Sequence, residues 1–103
     1  MQPVTINDLQ LVADKLGKIV RERGWTKNWS SGGCYIHLEV SEFIESLRGK
    51  GKSTPAQEAG DVIVALFAVL EHYEIPVADI FRHASITVDR LATDSEFGKH
   101  GNI

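Results

Sequence analysis

Apolar residues recur along the chain at three- and four-residue steps, in four blocks separated by polar breaks that contain glycine or proline. The first block holds Leu9, Val12, Ala13, Leu16, Ile19 and Val20; Thr5 and Asp8 precede it at capping-box spacing and Gly24 closes it. The segment from Trp25 to Gly33 is polar and glycine-rich, and its pattern predicts a loop carrying two tryptophans. A second helix is expected from Cys34 to Leu47, with Ile36, Val40, Phe43, Ile44 and Leu47 as its seam and Gly49 and Gly51 as its stop. Thr54 and Pro55, a capping hydroxyl followed by proline at the first helical position, start a third helix that reaches about Tyr73. Pro76 opens the fourth, along which Val77, Phe81, Ala84, Val88 and Leu91 form a seam. From Asp94 to Ile103 the chain turns polar, as in a mobile tail.

No stretch alternates with period two and no repeat appears, so the pattern predicts an all-α four-helix bundle with short connections, one domain over residues 1–103. The third helix is apolar on nearly every side between Val62 and Leu70. Such a helix must be covered from several directions, which in a short chain points to central placement and to dimerisation.

Composition narrows the partners. A chain of 103 residues, 43% hydrophobic, supports one core and not two. A net charge of -3 lacks the basic footprint of a duplex nucleic-acid binder, and the apolar run of the third helix is about half the length of a membrane span. The single cysteine, Cys34, has no internal disulfide partner, and no leader-like segment follows Met1; a cytoplasmic setting is expected.

The chemistry lies in the acids. Glu39 and Glu42 are three residues apart on the second helix, and Glu58 and Asp61 repeat that spacing on the third. The short connection favours antiparallel neighbours, which brings the two pairs to one level. At about 5 Å and an effective dielectric of ~20, each close carboxylate pair costs roughly 3 kcal/mol, so protons or metal ions must compensate. All-oxygen ligands suit Mg²⁺ or Mn²⁺, whose shell is completed by water and substrate phosphate. Glu45, a further turn along, is a candidate for a spare base or another ligand.

The strings His37-Leu-Glu39-Val-Ser-Glu42-Phe-Ile-Glu45-Ser-Leu and Gln57-Glu58-Ala-Gly-Asp61-Val-Ile-Val-Ala-Leu resemble the MazG-type all-α nucleoside triphosphate pyrophosphohydrolases, over about Cys34 to Arg90. The resemblance implies that Glu39, Glu42, Glu58 and Asp61 are Mg²⁺ ligands, and that a nucleotide substrate is cleaved between its α and β phosphates. It also implies a homodimer or homotetramer. Leu38 stands where such proteins often have a further glutamate, and Ser85 and Thr87 where an Asn and a Lys often occur. Phosphoribosyl-ATP pyrophosphohydrolases share a similar acidic stretch but often carry a histidine after the aspartate, where this chain has Val62 to Ala65.

Around the acids, Arg48, Lys50 and Lys52 are candidates to meet a triphosphate, although basic residues after a helix also complement its dipole. Lys27, Arg90 and Lys99 are weaker candidates. Trp25 and Trp29 are placed either to stack on a base or to cap the core. His37 either contacts substrate or occupies the helix surface, the surface being preferred, and Cys34 reads as packing. Gly51-Lys52-Ser53 is no P-loop, because Ser46 replaces the required glycine and a helix precedes it. A di-iron bundle would need Glu-x-x-His pairs, which the chain lacks. A non-catalytic oligomerisation module remains as the alternative to an enzyme.

Overall fold

The computed structural model describes residues 3–25 and 27–96. Four helices follow in order, α1 Ile6–Arg23, α2 Trp29–Leu47, α3 Pro55–His72 and α4 Val77–Thr93, and the described residues contain no strand. The all-α expectation therefore holds. Part of the expected tail, residues 97–103, lies outside the described residues, as do Thr26 and Lys99.

The cap signals act as their chemistry dictates. At α1 the Thr5 hydroxyl accepts from Asp8 N–H while the Asp8 carboxylate accepts from Thr5 N–H, and Gly24 closes the helix at φ 67°. At α3 Thr54 and Gln57 form the same reciprocal box across Pro55. The Asp8 carboxyl is held below its ordinary value, first by the Thr5 backbone donor and then by the Thr5 hydroxyl.

The start of α2 corrects the sequence reading. The helix begins at Trp29 and not at Cys34, so Trp29 to Gly33 is helical and not loop. Asn28 supplies the cap by accepting from Ser31 N–H at 2.9 Å. Gly32 belongs inside the helix because α2 crosses α3 there: a Cβ at Gly32 would come within 2.5 Å of Val69 Cγ2. Glycine composition reads as loop, whereas here it permits close helix contact.

α2 and α3 form an antiparallel hairpin, α1 packs on α3, and α4 lies alongside α1 and along neither α2 nor α3. Gly17 on α1 is the second close approach; a Cβ there would meet the Glu71 carboxylate. Beside it Arg21 donates to the Glu71 carbonyl at 2.9 Å and pairs with its carboxylate at 3.5 Å. The core joins Ala13, Phe67 and Val77, with Leu9, Leu16 and Ile80 against it. Gln10 fixes the start of α4 by accepting from Val77 N–H at 2.8 Å.

Of the seam foreseen on α4 only Val77 is buried; Phe81, Ala84, Val88 and Leu91 are exposed, Val88 to 61%. The radius of gyration is 15.5 Å, against about 13 Å for a compact chain of this length. Accessible surface is 7738 Å², roughly 2,000 Å² more than a compact chain of this mass presents. A single copy thus leaves apolar side chains exposed on every helix, among them Leu11 and Val12 on α1, Leu38 and Leu47 on α2, Ile63 on α3 and Val88 on α4.

Candidate metal centre

The hairpin register places the acids. With Gly32 against Val69 at one end and the connection from Arg48 to Thr54 at the other, Glu39 on α2 faces Glu58 and Asp61 on α3. One oxygen from each of Glu39, Glu58 and Asp61 lies within 4.8 Å of the other two. Around octahedral Mg²⁺, with bonds of about 2.1 Å, ligand oxygens stand about 3.0 Å apart when adjacent and about 4.2 Å when opposite, so side-chain rotations of about an ångström draw these three round one ion.

Their surroundings favour a cation. Glu39 Oε2 and Glu58 Oε2 are both buried with no hydrogen-bond partner, the condition of a carboxylate that awaits a positive charge. The Glu39 carboxyl is pushed above its ordinary value by burial first, then by the negative fields of Glu42, Asp61 and Glu58, and by a hydrogen bond with Glu42 that the protonated form makes. The residues therefore fit a hard divalent ion. Glu42 departs from the expected set: it lies against Glu39 but outside the converging triad, and it is exposed.

Tyr35 was missed in the sequence. One helical turn before Glu39, it is half-buried, and its hydroxyl is kept neutral by burial and by the fields of Glu39, Asp61 and Glu42. Its signal was the four-residue spacing to Glu39, which reading the second helix from Cys34 left at a frayed end.

Beside the triad a groove of about 350 Å³ opens, lined by Glu42, Glu45 and Ser46 from α2, Lys50 to Ser53 from the connection, and Glu58 from α3. Lys50 and Lys52 thus line the groove that adjoins the triad at Glu58. Arg48 does not line it; its guanidinium pairs with Glu45 at 2.9 Å. Ser46 is buried, its hydroxyl donating to the Phe43 carbonyl at 2.6 Å.

The other expected contacts are not brought to the acids. His37 lies two residues before Glu39, roughly 200° round the helix, and is exposed. Trp29 starts α2 roughly 15 Å before Glu39 and is 77% exposed. Trp25 sits by the far end of α3, where its carbonyl meets His72 Nε2 at 2.8 Å and the Arg23 guanidinium lies 4.8 Å above its ring. From Asp61 to His72 is roughly 16 Å of helix, so within one chain neither tryptophan reaches the triad. Cys34 is a free, exposed thiol and not a packing residue.

Compared with known protein families, with curated proteins and with solved structures, the chain matches none of them.

Proposed function

We propose that the chain is a Mg²⁺-dependent nucleotide pyrophosphohydrolase that cleaves a (deoxy)nucleoside triphosphate to the monophosphate and pyrophosphate. The observation that carries this reading is the convergence of Glu39, Glu58 and Asp61, two of them with unpartnered buried oxygens, beside a groove that Glu58 shares with Lys50 and Lys52. Acids alone would attract a cation; acids beside lysines suit a cation together with an oligophosphate. The resemblance of the two acidic strings to MazG-type enzymes supports the same chemistry.

Glu39, Glu58 and Asp61 would hold Mg²⁺, with Mn²⁺ as a substitute. When bound, the ion supplies phosphate-charge neutralisation and a more acidic attacking water. Glu42, adjacent to the triad without joining it, would accept the proton of that water. Lys50 and Lys52 oppose the phosphate charge from the far wall of the groove. Tyr35 keeps its proton and can orient a water or a phosphate oxygen as a donor.

The working unit in this reading is a homodimer or homotetramer, supported by the uncovered α4 seam and by an excess surface of roughly 2,000 Å², the scale of a stable homo-oligomeric interface. No described helix is long and apolar enough to cross a membrane. The exposed, unbridged Cys34 suits the cytoplasm, where clearing unwanted nucleotides would be the role.

A pyrophosphate-release screen over canonical and modified nucleotides, with and without Mg²⁺, tests the reading. Release must require the ion and must vanish in Glu58→Gln. Orthophosphate as the sole product would overturn the reaction. Absence of turnover together with absence of any Mg²⁺-linked rise in Tm would leave a helical oligomerisation module in its place.

A further inference from the structure

The two walls of the groove differ in a way that assigns a direction to whatever binds there. Glu58 belongs both to the triad and to the groove, so the metal centre and the groove share an edge. From that edge the lining passes to Ser53, Lys52, Gly51 and Lys50, all in the connection between α2 and α3. This connection is shaped by two left-handed glycines, Gly49 at φ 75° and Gly51 at φ 82°. The first closes α2, with Gly49 N–H on the Ser46 carbonyl and Lys50 N–H on the Glu45 carbonyl, which sets the position from which Lys50 projects.

Charge is committed unevenly along this path. Arg48 is engaged by Glu45, whereas among the described residues the ammonium groups of Lys50 and Lys52 have no ion-pair partner. Beyond Ser53 the 18-residue helix α3 begins, and the positive end of its dipole adds to the same field. The connection side of the groove therefore offers two uncommitted ammonium groups to an anion, opposite the α2 side with Glu42 and the Arg48-paired Glu45 and next to the cation-attracting triad.

We propose that the connection Lys50–Ser53 is an oligophosphate subsite, which takes the terminal phosphates of the substrate and hence the pyrophosphate product, and so leaves the nucleoside on the opposite side of the triad. Lys50 and Lys52 donate to the terminal phosphate oxygens, and the Ser53 hydroxyl donates to the oxygen nearest Glu58. This deepens the pyrophosphohydrolase reading and rests on it. Its consequence is selective: the enzyme distinguishes triphosphate from monophosphate through a connection that touches neither base nor sugar.

The test is calorimetric titration of wild type and of the double variant Lys50→Ala/Lys52→Ala with Mg²⁺ alone, with magnesium pyrophosphate and with magnesium AMP. Both lysines are exposed, so the fold is retained. The expected result is pyrophosphate binding weakened by about tenfold or more, the usual loss for charge-assisted hydrogen bonds. Affinities for Mg²⁺ alone and for AMP should stay within about twofold, and Lys50→Arg/Lys52→Arg should restore most pyrophosphate binding. Unchanged pyrophosphate affinity in the double alanine variant overturns the subsite, and so does an equal loss for AMP. A wild type that binds pyrophosphate through the lysines but binds no Mg²⁺ overturns the hydrolase reading and leaves the subsite standing.

Discussion

The α2–α3 hairpin and the α4 helix are both incomplete, but they lack opposite things. The hairpin holds buried carboxylate oxygens without partners on Glu39 and Glu58, and Glu58 also lines a groove. α4 leaves Phe81, Ile86, Val88 and Leu91 exposed, from 38% at Leu91 to 61% at Val88. An unpaired buried carboxylate is satisfied by a cation or a proton, and no apolar surface can serve. An uncovered apolar seam is satisfied by another protein surface, and no small ion can serve. If the proposed function holds, the contrast separates the part of this chain that would handle a small molecule from a part that would contribute to an assembly, and each can be disturbed without the other.

The largest expected effect lies in the hairpin. Glu58→Gln or Asp61→Asn should lower kcat by on the order of 10³-fold, the scale of losing a group that organises transition-state charge. Each substitution also removes a repelling charge, so the metal-free Tm should rise while the Mg²⁺-linked increment in Tm disappears. A metal-free Tm that falls instead would mean that these acids serve the fold and not an ion.

Next in size is the seam. Val88→Glu places a charge at a position now 61% exposed, which costs an isolated chain little. If a second copy covers the seam, loss of one apolar contact and burial of a charge should weaken association by about 10- to 100-fold, as judged from the free energy of burying a valine side chain. Sedimentation velocity over a dilution series reads this directly. Mg²⁺ affinity of the hairpin should be unchanged, and a coupled loss would show that the partner helps to form the metal site.

That acids of the hairpin converge was legible, but which of them do was not. Acids at three-residue spacing on consecutive helices predict convergence, because helical periodicity and a short connection leave few alternatives. That Glu42 would stand outside the triad depends on the rotation of α2, which is fixed by Gly32 lying on Val69. No local pattern reveals such a contact; glycines in a polar run look the same whether they form a loop or admit a neighbouring helix. The tryptophans show the same limit from the other side. Their loop-like context suggested a place near the acids, but α2 begins at Trp29, about three turns before Glu39, and Trp25 lies by His72 at the far end of α3. Caps were the most readable features, since Thr5 with Asp8 and Thr54 with Gln57 complete their hydrogen bonds within four residues.

A smaller effect comes from pH. Glu39 has its folded value raised above the ordinary 4.5, so between the unfolded and folded values the native state holds a proton that the unfolded chain releases. Its contribution is full below the ordinary carboxylate range and is lost as pH rises through the raised value. Without divalent ions Tm should therefore decline over that window. Saturating Mg²⁺, which binds the deprotonated form, should flatten the decline at its upper end. Glu39→Gln should remove the pH dependence, whereas a decline that survives it belongs to other groups.

The smallest effect concerns the joint between the two regions. α1, α2 and α3 end alike, with a residue in the left-handed region just past the helix: Gly24 at φ 67°, Gly49 at φ 75° and Glu74 at φ 55°. The bonds after α3 match those after α2, Glu74 N–H to the Glu71 carbonyl and Ile75 N–H to the Leu70 carbonyl. Glutamate pays a steric penalty there that glycine does not, so Glu74→Gly should stabilise the chain by about 1 kcal/mol, read as a rise in Tm. Because the turn sets the angle at which α4 leaves α3, the same variant shows how rigidly the regions are joined. Unchanged association and unchanged Mg²⁺ affinity would place the turn's geometry in the hydrogen bonds and in Pro76. Weaker association at higher stability would mean that Glu74 holds α4 at the angle its partner requires.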